Sequence, residues 1–97
     1  MESDDLEFYI TAQALDESLR VVGDRPSLAM EAGDDMVNRL NRLRTLKPEH
    51  ADKVLIQFYG WVYEHLPRYL VSDPTQVPNF QYLLRRVSAE VGPYPGD

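Results

Sequence analysis

PEHADKVLIQFYGWVYEHLPRYLV, residues 48–71, decides how the chain is read. Half of its ten aromatics, Phe58, Tyr59, Trp61, Tyr63 and Tyr69, fall between Phe58 and Tyr69. Ala51, Leu55, Phe58, Val62, His65 and Tyr69 recur at alternating spacings of four and three, the heptad-like seam of a packed helix. Wound at 100° per residue, the apolar and aromatic positions run from Trp61 through Phe58 and Val62 to Tyr63 and Ile56. That arc is roughly 220°, against about 100° or more for an ordinary amphipathic helix. Lys53, Gln57, Gly60, Glu64 and Arg68 form the polar wedge. The edges of the arc, Trp61 on one side and Ile56 with Tyr63 on the other, are therefore expected to be either covers of the core edge or contacts for a partner. Pro48 suits the first turn of this helix. Pro67 lacks an N–H and clashes with the preceding turn, so a kink or stop is expected near Leu66.

The flanking sequence repeats the period. A first helix is expected from Asp4 to Val22, with Ser3 as N-cap, Gly23 as stop and Phe8, Ala12, Leu15, Leu19 and Val22 as its stripe. Leu6, Ile10 and Val21 lie off that stripe. A second runs from Pro26–Ser27 to Leu46 with Ala29, Gly33, Met36, Leu40 and Leu43 facing inward. Gly33 costs about 1 kcal/mol of helix propensity relative to Ala, and it marks either a close helix approach, the favoured reading, or a break capped by Asp34 or Asp35. A fourth runs from Asn79 to Val91 with Phe80, Leu84, Val87 and Val91. Short connections favour antiparallel neighbours, so the expected fold is all-α, an up-and-down four-helix bundle in one small domain. Residues 1–91 form it, and residues 92–97, Gly-Pro-Tyr-Pro-Gly-Asp, read as a mobile tail.

Composition narrows the function classes. Ninety-seven residues with 43% apolar content fit one globular domain. The absence of cysteine excludes a disulfide framework, a thiolate nucleophile and Cys-ligated metal. The start is acidic, unlike a signal peptide, and Gln57 and Glu64 interrupt the best apolar run, so no membrane span and a cytoplasmic protein are expected. The net charge of −6 is unevenly spread. Residues 1–35 hold ten acids against Arg20 and Arg25, whereas residues 36–47 hold Arg39, Arg42, Arg44 and Lys47 with no acid. The plain reading is pairing between an acidic helix 1 and a basic end of helix 2, where the macrodipole also favours cations. The sharper one is a docking surface steered by charge.

Motifs for chemistry are lacking. No serine stands in a Gly-x-Ser-x-Gly elbow, and the five glycines are scattered rather than gathered into a phosphate loop. A carboxylate-bridged metal site in a bundle needs inward Glu-x-x-His pairs, but Lys47 and Val62 stand three residues before His50 and His65. His65 reads as a core or boundary histidine bonded to a backbone carbonyl or carboxylate, or else as a pH-sensitive switch. No cofactor, metal or catalytic residue is expected.

These readings converge on a small acidic non-enzymatic protein that binds another protein, or its own copy, as an adaptor, inhibitor, immunity factor or assembly subunit. Trp61, Tyr63 and Ile56 are the candidate contacts, with Arg39 and Arg42 as polar rim. Two alternatives use charge instead. The acids of the first third (Glu2, Asp4, Asp5, Glu7, Asp16, Glu17, Asp24, Glu31, Asp34, Asp35) could mimic nucleic acid and block a basic protein. Conversely Arg39, Arg42, Arg44 and Lys47, with Arg85 and Arg86, could form a local nucleic-acid patch, which a chain of pI near 4.8 makes unlike an ordinary phosphate binder.

Overall fold

The computed structural model describes residues 3–96. It contains four helices: α1 Ser3–Asp24, α2 Ala29–Leu46, α3 Ala51–Ser72 and α4 Val77–Glu90. No strand occurs among the described residues. The fold is the expected all-α four-helix domain, with successive helices antiparallel.

All three connections are built alike. A single residue before a proline leaves the helix: Arg25 (φ −135°, ψ 80°), Lys47 (φ −137°, ψ 81°) and Asp73 (φ −157°, ψ 83°). Proline's Cδ pushes the residue before it out of the helical region, which gives this common conformation. Each of these residues still donates its N–H to the carbonyl four residues back: Arg25 to Val21 at 2.8 Å, Lys47 to Leu43 at 3.1 Å, Asp73 to Tyr69 at 2.9 Å. A 3-10 turn then starts at the proline (Pro26–Leu28, Pro48–His50, Pro74–Gln76) and feeds directly into the next helix. The α-helices proper therefore begin at Ala29 and Ala51, three residues after the prolines expected to open them.

The predicted stripes form the core. Leu15, Leu19 and Val22 of α1 meet Ala29, Met36, Leu40 and Leu43 of α2, Leu55, Phe58 and Val62 of α3, and Phe80, Val87 and Val91 at the end of the chain. On α4 the buried leucine is Leu83, while the expected Leu84 is only partly buried. α2 is the central helix, packed on α1 along its length, on α4, and on α3. The molecule measures 45 × 27 × 19 Å, its short axis about two helix layers at 8–10 Å spacing.

Two expectations about helix punctuation are corrected, at Gly23 and after Leu66, while the favoured reading of Gly33 holds. Gly23 does not stop α1; it is helical and buried. A Cβ there would lie 3.1 Å from His65 Nε2 and 3.5 Å from Trp61 Cζ2, so the glycine permits α3 to approach. α2 is unbroken at Gly33, and its missing side chain makes room for α4: a Cβ would lie 3.1 Å from Tyr82 Cε1 and 3.2 Å from Arg86 Nη1. α3 does not stop at Leu66 but continues through Pro67 to Ser72. The residues beyond the proline are held by Tyr69, whose hydroxyl donates to the Gly23 carbonyl at 2.7 Å and whose ring lies 5.3 Å from that of Phe80. Those contacts offset part of the cost of the missing backbone bond. The segment expected to be a mobile tail folds back as far as Tyr94. Tyr59 donates to the Gly92 carbonyl at 2.8 Å, and Arg44 donates to the Val91 carbonyl. Asp97, like Met1 and Glu2, lies outside the described residues.

Candidate functional site

A second seam runs along the outer side of α3. Ile56, Gly60, Tyr63, Pro67 and Leu70 follow one another at spacings of four and three, the same period as the core stripe but on the solvent side. Ile56 is 42% exposed, Tyr63 and Leu70 each 53%, and Val71 beside them 88%. At Gly60 nothing among the described residues lies within 4 Å of where a Cβ would be. A glycine in the middle of a 22-residue helix costs about 1 kcal/mol relative to alanine, and Gly60, unlike Gly23 and Gly33, meets no neighbour in its own chain that would require it.

Beside this seam three tyrosines gather. Tyr59 and Tyr63 stack at 6.3 Å with 25° between their planes, and Tyr94 meets both edge-on at 5.9 and 6.5 Å. The Tyr59 hydroxyl is used within the fold, and burial raises its pKa above the usual phenol value. Tyr63 and Tyr94 are exposed. With Leu84, Arg85 and Ser88 of α4 and Pro93, the tyrosines line a shallow groove of about 450 Å³ between the two helices. The arrangement offers flat aromatic surface, an aliphatic ridge and one neighbouring cation, Arg85.

The five residues singled out from sequence are not all brought together. Ile56 and Tyr63 share the outer seam. Trp61, two residues from Tyr63 and so about 200° away around the helix, faces the other way. It is half-buried beside Gly23, with its ring 4.7 Å from His65 and 6.0 Å from Phe80. Arg42 pairs with Glu7 on α1, which holds the Glu7 carboxyl below its usual range and raises Arg42. Arg39 is half-buried, and its Nε has no hydrogen-bond partner among the described residues. Leu70, Val71, Tyr94 and the opening at Gly60 were missed. The repeated four-three spacing outside the main stripe is the signal that marks Leu70 and Gly60, and it is hidden when Gly60 is read as part of the polar wedge.

The charged alternatives have structure too. Lys47 pairs with Asp5 and Arg42 with Glu7, tying the basic end of α2 to the acidic start of α1. Arg86 pairs with Asp34 and Glu90, and Glu17 with Arg20. Much of the local basic cluster and four of the ten acids are thus engaged within the chain; Glu2 of that array lies outside the described residues. His65 directs Nδ1 at the Trp61 carbonyl, 2.9 Å away; a carbonyl only accepts, so the Nδ1–H tautomer fits. Among the described residues no three His, Asp or Glu side chains are placed to share a metal ion, and no helix is long and apolar enough to cross a membrane. No protein-family model, curated protein or solved structure matches the chain.

Proposed function

We propose that this protein is a small acidic, non-enzymatic binding module that docks another polypeptide through the outer face of α3, in the manner of an adaptor, inhibitor, immunity factor or assembly subunit. The observation that carries the reading is the exposed four-three seam of Ile56, Gly60, Tyr63, Pro67 and Leu70. A helix with one buried seam is satisfied by its own bundle; a second seam at the same period is the pattern of a helix that packs on both sides. Tyr63 is the expected anchor, since exposed tyrosine beside a groove supplies large contact area at low entropic cost. Trp61, packed against His65 and Phe80, is better suited to supporting α3 than to touching a partner.

A tagged chain used to capture partners from its native lysate, with and without nuclease, tests this against a Tyr63→Asp variant. Tyr63 is more than half exposed, so the variant is expected to fold with unchanged helical signal. A nuclease-resistant polypeptide retained by the native chain and lost from Tyr63→Asp supports the reading. Equal capture by both excludes the α3 face, and capture that vanishes with nuclease favours the basic-patch alternative.

A further inference from the structure

Resting on that reading of α3 as a docking helix, we infer that the occupant of the outer face is a second copy of this chain, its α3 crossing antiparallel to the first about a two-fold axis. The seam is self-complementary in that direction. In an antiparallel pair the a positions of one helix face the d positions of the other. Lys53, Gly60 and Pro67 hold the a positions, and Ile56, Tyr63 and Leu70 the d positions. One register then sets Gly60 opposite Tyr63, Pro67 opposite Ile56 and Lys53 opposite Leu70, each pair formed twice by symmetry. The Tyr63 ring of each copy covers the open Gly60 of the other, which accounts for a glycine that serves nothing within its own chain. A parallel pair would instead set Gly60 against Gly60 and Lys53 against Lys53.

Charge agrees with the antiparallel pairing. Lys53 is exposed and has no ion pair among the described residues. α3 carries no basic residue in its last turn and is followed by Asp73 at its C-cap. Helical side chains lean toward their own N-terminus, so opposite Leu70 the Lys53 ammonium leans toward the acidic C-terminal end of the other α3. Around the seam the charges are nearly balanced (Asp52, Lys53, Glu64, Arg68, Arg85) in a chain of net charge −6, so the seam itself adds little repulsion between two copies. From Lys53 to Leu70 the seam is about 26 Å long. With the adjoining side of α4, about 10 Å away, the face covers roughly 500 Å² in projection. Its corrugated accessible area approaches the roughly 800 Å² per partner of a standard interface.

Light scattering coupled to gel filtration, over a micromolar to millimolar series, tests the proposal with the native chain and Gly60→Gln. Because a side chain at Gly60 enters open space, that variant cannot fail by overpacking its own core. The native chain is expected to reach twice its 11.2 kDa mass, and Gly60→Gln to stay monomeric with at least a tenfold loss of association. Mixed Lys53→Cys and Leu70→Cys chains, in a protein with no other cysteine, are expected to join through a short thiol cross-linker, more so than either alone. Self-joining of each variant with no mixed product overturns the antiparallel register. A native chain monomeric throughout, or a Gly60→Gln chain that dimerises equally, overturns the self-pairing. In that event lysate capture by native chain but not Gly60→Gln leaves the docking face standing with a foreign partner, and identical capture removes that reading as well.

Discussion

Three glycines sit inside helices, and what surrounds each decides its role. At Gly23 the added methyl of an alanine would meet the imidazole of His65 at 3.1–3.3 Å. That ring is held by its Trp61 carbonyl bond and by stacking on the indole, so it has little freedom to withdraw. Gly23→Ala is therefore expected to destabilise the fold by about 1–3 kcal/mol despite alanine's better helix propensity. Gly60→Ala meets nothing and is expected to stabilise the monomer by up to ~1 kcal/mol. Urea unfolding of the two variants under monomeric conditions checks both signs at once. A stabilising Gly23→Ala would mean that burial against His65 is not what requires a glycine there, and a destabilising Gly60→Ala would mean that Gly60 is not open within its own chain. Spacing alone did not show these roles: Gly23 reads as the stop of its helix and Gly60 as part of a polar wedge, whereas the difference lies in which helix crosses each.

At the level of elements, the helices were readable because each stripe keeps one period over several turns, and the Xaa-Pro pairs mark every connection. The starts of α2 and α3 lie about one turn later than expected because a proline that could open an α-helix here opens a 3-10 turn first, whereas α1 and α4 begin one and two residues earlier than expected. At Pro67 the stop that is one of the two expectations does not occur, for a different reason. A proline within a helix removes one backbone bond and costs about 3 kcal/mol in propensity, a local penalty; Tyr69 anchoring to Gly23 and Phe80 is a tertiary gain invisible in the local sequence. If this balance is right, Pro67→Ala restores an N–H facing the carbonyl of Tyr63 and raises stability by about 1–3 kcal/mol. Thermal unfolding reads the change, with a lower midpoint as the contrary result. Tyr69→Phe, which keeps the ring but loses the hydroxyl bond to Gly23, tests the anchor separately and is expected to cost about 1 kcal/mol.

For the whole molecule, the stripes told which side of each helix is buried but not against which neighbour, so the central position of α2 was not legible, nor was the wide apolar arc of α3 divisible into core and outer seam. Charge was legible in part. The acidic first third and the basic end of α2 meet as Asp5–Lys47 and Glu7–Arg42, which clamps the antiparallel pair α1 and α2 at its far end from their connection. Ion pairing with Arg42 lowers Glu7, pairing with Arg86 lowers Glu90, and hydrogen bonds from Thr75 and Gln76 lower Asp73. A carboxyl whose folded pKa is depressed contributes stability above its unfolded value and loses it as pH falls through the folded one. The glutamates' ordinary value is 4.5, so stability is expected to hold through neutral pH and decline below about 4.5. Lys47, raised from 10.5 chiefly by its bond to Asp5, acts at the opposite end, its contribution lost only as pH rises through that raised value. These pairs lie at the surface, with Lys47 and Arg86 partly covered, and salt screens exposed charge over about 8 Å at physiological ionic strength. A Glu7→Gln, Glu90→Gln double variant should therefore show a shallower acid limb than the native chain in chemical denaturation at a series of pH values, and molar salt should shrink the difference between them. Identical acid limbs at low salt would mean that the Glu7–Arg42 and Glu90–Arg86 pairs do not couple protonation to folding.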